Sequence, residues 1–337
     1  MMRALRRVGL RPFSPMYSGA TALRNLAYGK RWLASRRLPA RVISVGNLST
    51  GGTGKTPFVM ALSHLLQDAG WLPILLSRGY GRNSREIVRV NPSGSAQQFG
   101  DEPLLLARET NAPVYVGGSR YHAGLMAAHE IALTPRHVFV LDDGFQHRRL
   151  LRDVDIVLLR AADLNDELLP AGNLREPATS LSRADMLVVR DDEAGAATQV
   201  LSRFSPSPRG ALRVWTVRRT LDLAGIPPGT AIAFAGIAHP SEFFRGLRAA
   251  GFTLPSTLAF ADHHDYSFRD VTRILAALKI AQTRTLLTTE KDFVRLTSQA
   301  RVAMQNASDL RAVPLRTEIM NAETCLQQIE ALLEKQR

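Results

Sequence analysis

The stretch that most constrains the fold is residues 41–57, Arg-Val-Ile-Ser-Val-Gly-Asn-Leu-Ser-Thr-Gly-Gly-Thr-Gly-Lys-Thr-Pro. A short apolar strand, Arg41 to Val45, runs into a glycine-rich turn that ends in Gly54-Lys55-Thr56 and opens a helix over about Lys55 to Ala69. The glycines permit a tight turn in which successive backbone N–H groups point inward, and the helix N-terminus adds its own free donors. That geometry suits a polyphosphate. Ser49, Thr50, Gly51, Gly52, Thr53 and Gly54 would form the cradle, Lys55 would reach the β- and γ-phosphates, and the Thr56 hydroxyl would take a place on Mg2+. Ser49 stands where the G-x-x-x-x-G-K-[ST] pattern has its first glycine.

Beyond this unit, short β-rich runs alternate with helical stretches. Leu72–Ser77, Pro113–Val116, His137–Leu141, Val154–Leu159 and Met186–Val189 read as strands, and Ile87–Val90 as an edge strand. Helices over Glu102–Glu109 and Arg120–Ala132 fall between them. The alternation predicts an α/β fold, a P-loop NTPase-like, mostly parallel sheet flanked by helices on both faces. Ligands of such sheets bind beyond the carboxyl ends of the strands, where the glycine-rich turn lies. A Pro/Ser/Arg-rich patch at 202–210 reads as a linker. After it come strands near Leu212–Thr216, Ala231–Ala235, Thr257–Phe260 and Thr285–Leu287, with helices near Ser241–Ala250, Phe268–Ala281 and Ala322–Glu334. The expected organisation is a basic segment at 1–40, a P-loop core at 41–205 and a smaller C-terminal α/β unit at 206–337.

The net charge of +13 is unevenly placed. Residues 1–67 carry eleven Lys or Arg and no acid, while the rest of the chain is close to neutral. Four uses compete for the basic segment: a targeting peptide, a phosphate-binding arm for nucleic acid, a solvated arm, or an interfacial membrane segment. Between Pro15 and Leu38, Met16, Tyr17, Leu23, Leu26, Tyr28, Trp32 and Leu33 are interleaved with five Arg and Lys residues. Aromatic and leucine anchors mixed with cations suit an anionic bilayer surface, at about 1 kcal/mol per basic residue near it. No apolar run approaches the roughly 20 residues of a membrane span. Cys325 is the one cysteine, so an intrachain disulfide is excluded.

Other residues carry possible chemistry. Asp142-Asp143 end the strand His137–Leu141, where a P-loop site holds its metal, directly or through water. Asp155 and Asp191-Asp192 are rivals at similar strand ends, but dense polar chemistry at Gln146, His147, Arg148 and Arg149 favours Asp142-Asp143. Gly100-Asp101-Glu102-Pro103 opens a helix, and the plainer view is a capping sequence. Asp262-His263-His264-Asp265 invites a metal or proton-transfer reading. Arg78 and Arg82 lie on a glycine-rich loop after a strand; Arg175 and Glu176 lie beside prolines, and either loop would clamp a phosphate or a lipid headgroup. Thr288–Asp292 sits like a base-recognition loop but lacks the Asn-Lys-x-Asp spacing of GTPases, which tilts the donor towards ATP.

Taken in order, these motifs resemble the tetraacyldisaccharide 4'-kinase (lipid A 4'-kinase) family of Gram-negative bacteria. The likeness spans nearly the whole chain. It rests on the 45–57 segment, Ser-Arg-Gly-Tyr-Gly-Arg (77–82), Gly-Asp-Glu-Pro (100–103) and Leu-Asp-Asp-Gly-Phe-Gln-His (141–147). Gly-Asn-Leu-Arg-Glu-Pro (172–177), Asp-His-His-Asp-Tyr (262–266) and Thr-Thr-Glu-Lys-Asp (288–292) complete it. Ser49 falls where that family itself relaxes the P-loop pattern. The resemblance implies a Mg-ATP-dependent kinase, peripheral at the cytoplasmic face of the bacterial inner membrane. Its acceptor would be the 4'-hydroxyl of a tetraacylated glucosamine disaccharide 1-phosphate, a lipid A precursor. It further implies that Asp101 with His263 is the base, and that Lys55 and Thr56 hold phosphates and Mg2+. Asp142, Asp143, Glu102, Gln146 and Glu176 would surround the metal and the transferring group, with Arg175 nearby. Partners would be the lipid precursor and the anionic membrane surface, with no nucleic acid and a monomeric state expected. Two other classes remain open at this point: another P-loop small-molecule kinase or ligase, and a nucleotide-switched membrane adaptor.

Overall fold

The computed structural model describes residues 10–203 and 212–334. After a 3-10 turn at Arg11–Phe13, the chain forms helix α1 (Ser14–Gly29), then strand β1 (Arg41–Asn47) and helix α2 (Lys55–Asp68). Strands β2 (Leu72–Ser77) and β3 (Val88–Arg89) precede helices α3 (Ala96–Phe99) and α4 (Asp101–Glu109). Then follow β4 (Val114–Val116), α5 (Arg120–Glu130), β5 (His137–Asp142), β6 (Val154–Leu158), β7 (Met186–Arg190), α6 (Ala194–Arg203) and β8 (Arg213–Leu221).

Nine strands make the larger sheet, in the order β13-β8-β7-β6-β1-β5-β2-β4-β3, where β13 is Leu315–Ile319. Seven central strands are parallel, and only the edges β3 and β13 run antiparallel. Such strands must be apolar on both sides because helices cover both faces. Thus β1, β5 and β6 are buried almost throughout. One face packs Phe58, Leu62 and Leu66 of α2 with Leu104 and Leu106 of α4, and with Ile329 and Leu333 of the last helix, α11 (Ala322–Glu334). The opposite face packs Tyr115 and Phe139 against Ala123 and Ala127 of α5, and Phe145 against Leu187 and Val189.

The smaller sheet holds β9 (Ile232–Ala235), β10 (Thr257–Ala259), β11 (Thr285–Thr289) and β12 (Asp309–Val313), all parallel, in the order β10-β9-β11-β12. Helix α7 (Pro240–Ala249) covers one face; α8 (Phe268–Ile280) and α10 (Ser298–Ala307) cover the other, and the short α9 (Glu290–Arg295) follows β11.

The sequence-drawn unit at 206–337 is divided between the two sheets. Leu221, at the end of β8, is paired with Leu315, at the start of β13. The smaller α/β body is therefore an excursion that leaves and re-enters the larger sheet at one antiparallel pair. The final helix packs on the larger body because Ile329, Leu332 and Leu333 belong to its core. Residues 202 and 203 of the expected linker close α6, and its remaining residues lie outside the described ones, as do residues 1–9 of the basic segment.

Candidate active site

Parallel register places the acids of β5 beside the glycine-rich loop. Val45 lies level with Asp142 across the β1–β5 ladder, and the Gly144 N–H donates to the Val45 carbonyl at 2.9 Å. Gly46 makes this approach possible, since a Cβ there would sit 2.5 Å from the Phe145 Cβ. Lys55, the first residue of α2, reaches back across the loop: its Nζ is 3.0 Å from Asn47 Oδ1 and 3.4 Å from Asp143 Oδ1. Arg175 closes the other side with a bidentate pair to Asp143, both bonds at 2.8 Å, and also donates to Asn47 Oδ1. Burial would raise the Asp143 carboxyl, but Lys55 and Arg175 outweigh it and hold the group well below the usual range.

Asp142 has the opposite electrostatics. It is buried, Ser77 Oγ donates to its Oδ2 at 3.2 Å, and its Oδ1 is buried without a partner. Burial, followed by the charges of Glu102 and Asp143, pushes its carboxyl up to about 7. Two neighbouring acids thus titrate on opposite sides of the normal range. At Asp142 the Lys55 and Lys291 charges act in the opposite direction but do not offset burial and the neighbouring acids.

A second cluster joins the two sheets. Asp101 starts α4 in the larger body, and His263 comes from the loop after β10 in the smaller one. The His263 Nδ1 is 3.2 Å from Asp101 Oδ2. Arg295, from α9, donates to the same Oδ2 through Nε at 2.9 Å and also through Nη2, and fixes the smaller body through the Gly236 carbonyl at 2.6 Å. Burial alone would raise Asp101, yet the His263 hydrogen bond and the Arg295 and Lys291 charges hold it far below the usual carboxylate range. The Asp101 hydrogen bond raises His263 above its ordinary value, against opposing burial. Both His263 (φ 57°) and Asp143 (φ 55°) have left-handed backbones, which non-glycine residues adopt at a cost. Lys291 ion-pairs with Glu102 at 2.5 Å and keeps that acid ionised despite burial. Lys55, Asp142, Glu102, Lys291 and Asp101 therefore form one continuous field between the loop and the His263 pair.

Several other expected residues find clear places. Gln146 donates to the Asn47 carbonyl at 2.9 Å, with its Oε1 buried and unpartnered. Ser49 is buried and bridges to Leu174, while the Thr50 N–H donates to the Asn173 carbonyl at 2.8 Å. Thr56 is buried at the start of α2, and Arg78 is exposed, acting on Arg120 and His147 through its charge.

Glu176 departs from the expectation. Its fully buried carboxylate takes Arg24 on Oε1 and Asn25 (3.2 Å) and Arg183 (2.8 Å) on Oε2. Both oxygens are committed, so Glu176 anchors α1 instead of standing with the metal-side acids.

The rival acids are also accounted for. Asp155 is held by Arg152, Asp191 by Arg218 and Asp192 by Arg190. His264 turns to Asp270 and stacks on Phe260, so the adjacent histidines serve different partners. In the 288–292 loop, Asp292 is consumed by Tyr266, the Gly236 N–H and Thr289, a structural knot and not a base-reading carboxylate.

Sequence reasoning passed over Asn47, Arg120 and Arg295. Asn47 and Arg295 make their site contacts only through tertiary approach. Arg120 is buried at the start of α5, close enough to Asp143 and Asp142 for their charges to act on it. The only available signal was an arginine in an apolar helix.

Among the described residues, no three His, Cys, Asp or Glu side chains gather as a ready-made metal cage. A nucleotide-borne Mg2+ does not require one, because phosphates and water fill most of its octahedron. The unpartnered Asp142 Oδ1 and the Thr56 hydroxyl are the kind of hard oxygen donors that would fit such an ion.

A phosphate-cradling loop, a carboxylate at the neighbouring strand end and a carboxylate–histidine pair beyond it define the class: a P-loop phosphotransferase. The comparisons with known proteins narrow this. A family model described as "LpxK: Tetraacyldisaccharide-1-P 4'-kinase" matches residues 6–334. A tetraacyldisaccharide 4'-kinase of Koribacter versatilis is 38% identical over 337 residues, covering 97% of this chain and all of that protein. One of Syntrophus aciditrophicus is 40% identical over 323 residues, covering 88% and 86%. The crystal structure of LpxK from Aquifex aeolicus in its "apo" form in complex with ATP superposes with a TM-score of 0.76 at 33% identity, covering 97% of this chain and 99% of that one. The chain belongs to the tetraacyldisaccharide-1-P 4'-kinase family and is a kinase.

Proposed function

We propose that this kinase transfers the γ-phosphoryl group of ATP to the 4'-hydroxyl of a tetraacylated glucosamine disaccharide 1-phosphate, docked at the cytoplasmic face of the inner membrane. The observation that carries the reading is the Asp101–His263 pair, assembled from two different sheets beside the field of the P-loop acids. Phosphoryl transfer needs alignment and charge neutralisation more than covalent help. Asp101, kept ionised by Arg295 and Lys291, would accept the Nδ1–H of the His263 tautomer whose Nε2 takes the proton of the attacking hydroxyl, with Arg295 Nη2 3.3 Å from the same Nδ1. The imidazolium formed is stabilised by the same carboxylate. Lys55 and Arg175, now spent on Asp143 and Asn47, are the cations available to phosphate oxygens. Mg2+, held by Thr56 and Asp142, would neutralise charge on the transferring group, and Glu102 and Asp143 would shape its surroundings. Gln146, bonded to the Asn47 carbonyl, and the exposed Arg78 would meet phosphate or substrate oxygens.

The acyl chains find their surface on α1. Its inner side is tied down by Tyr17 Oη on the Arg175 carbonyl (3.1 Å) and by Arg24 and Asn25 on Glu176. Its outer side and the turns beside it expose Phe13, Met16, Leu23, Leu26, Trp32 and Leu33. An apolar stripe fastened to the loop that carries Arg175 suits an acceptor arriving from a bilayer. No helix among the described residues is long and apolar enough to cross a membrane.

The test is transfer of labelled γ-phosphate from ATP to the tetraacyldisaccharide 1-phosphate by the purified chain, with Mg2+ and with chelator. Acceptor-dependent turnover that needs Mg2+ and falls at least about a hundredfold in Lys55→Ala is expected. Transfer to a soluble sugar but not to the lipid, or full turnover in Lys55→Ala, would refute the reading.

A further inference from the structure

One cation beside the glycine-rich loop has no part in the mechanism above. Arg219 lies on β8, two residues before the chain departs for the smaller body. Its Nη2 donates to the Thr53 carbonyl, and its guanidinium rests against Gly54, where a Cβ would fall inside it. Gly54 is thus required twice, for its left-handed backbone (φ 76°) and for Arg219 to approach. The remaining bonding capacity of Arg219 is unmet, because its Nε is buried without a partner.

The charges around it are mixed. Burial, with repulsion from Arg190 and Arg160, pulls its pKa down to about 10. Glu242, which acts in its favour, is already paired with Arg160 at 3.4 Å and Arg190 at 3.8 Å. Glu193, which accepts the Ala161 N–H at 2.9 Å, also acts in its favour through its charge. His239 sits against Gly52 on the same flank of the loop and is itself in contact with Arg160.

A trans peptide points its carbonyl and N–H to opposite sides. A Thr53 carbonyl bound to Arg219 on one flank turns the Gly54 N–H to the other. In a phosphate-binding loop the N–H groups must face inward together, and each carbonyl needs a partner outside. Resting on the assignment of the loop as the nucleotide site, we infer that Arg219 is a positioning residue for the polyphosphate. It pins the Thr53–Gly54 peptide with its N–H inward and adds positive charge behind the loop. Because β8 leads into the smaller body, the pin also ties the loop's shape to the strand that connects the two sheets.

The experiment uses the full chain and two substitutions, Arg219→Met, which keeps the stem and loses every donor, and Arg219→Lys, which keeps the charge. Calorimetry measures ATP and AMP binding without any acceptor, and thermal unfolding of the nucleotide-free protein is recorded beside it. Losing a charge-assisted positioning bond should weaken ATP by roughly 10- to 100-fold. AMP, which lacks the β- and γ-phosphates, should change by less than about threefold, and Arg219→Lys should recover part of the ATP affinity. In turnover, KM for ATP should rise while KM for the acceptor stays put. Equal weakening of ATP and AMP, or unchanged ATP affinity with a lowered unfolding midpoint, would overturn the inference and leave Arg219 as a prop for β8. If Arg219→Met does not fold, Arg219→Gln, which keeps a donor but loses the charge, is set against Arg219→Lys, and ATP should still weaken more than AMP. Since binding is read without lipid, failure of the lipid acceptor assay leaves this result standing, and failure here leaves the acceptor unaffected.

Discussion

Arg295→Met tests how the base pair is tuned. In the native site the Arg295 and Asp101 side chains are each 5% exposed, and the arginine also bonds the Gly236 carbonyl and Asp292. Asp292 keeps Tyr266, Thr289 and the Gly236 N–H after the substitution, but Asp101 keeps His263 as its side-chain hydrogen-bond partner and only the more distant Lys291 charge beside it. Breaking a buried pair by removing one partner costs about 3–5 kcal/mol, which urea denaturation should report.

The pH profile carries the sharper test. His263 is raised chiefly by its Asp101 bond, while burial and the Arg295 charge oppose the rise. Deleting that charge lets His263 climb further. His263 must be neutral to accept a proton, so activity is lost as pH falls through its pKa. The acid limb of kcat should therefore move to higher pH, with turnover recovering in alkaline buffer.

A histidine with a raised folded pKa contributes stability that is complete below its unfolded value of about 6.5. That contribution fades as pH rises through the folded value, so Arg295→Met should lose additional stability across a wider alkaline window. Arg295→Lys, which keeps the charge, should leave the limb close to its native place. An acid limb that stays put or moves to lower pH in folded Arg295→Met protein would refute this account.

Other outcomes follow from the same geometry. Asp101→Asn and His263→Ala should each lower kcat by roughly 10²–10⁴, and the double variant should be little worse than either single, because they handle one proton together; additive losses in a mutant cycle would count against a unit. Replacing Met16, Leu23 and Trp32 by serine should reduce sedimentation with anionic vesicles while leaving the unfolding midpoint nearly unchanged, since all three are exposed; unchanged sedimentation would make α1 a solvated helix.

The sequence by itself determined the strand–loop–helix unit, the alternation that forces a doubly covered parallel sheet, and the identity of Lys55, Thr56 and Asp142-Asp143 as candidates. These are local signals. Loop chemistry and hydrophobic period survive in one dimension because each is satisfied within a dozen residues. β12 and β13 escaped that kind of reading because each is only five residues long, with Arg311, Arg316 and Glu318 on the exposed alternate positions and few apolar residues between them. The split of the C-terminal third was also hidden, since it rests on Leu221 meeting Leu315 across the whole smaller body.

Only the tertiary structure decided which charges meet. The motifs named Asp101 and His263, but their distance, and the Arg295 that locks them, exist only once two sheets pack together. Glu176 read as one more metal-side acid and became the anchor of α1, because Arg24, Asn25 and Arg183 reach its oxygens first. A carboxylate's role is set by the charges within a few ångströms of it, and for residues far apart in the chain those distances are fixed by packing.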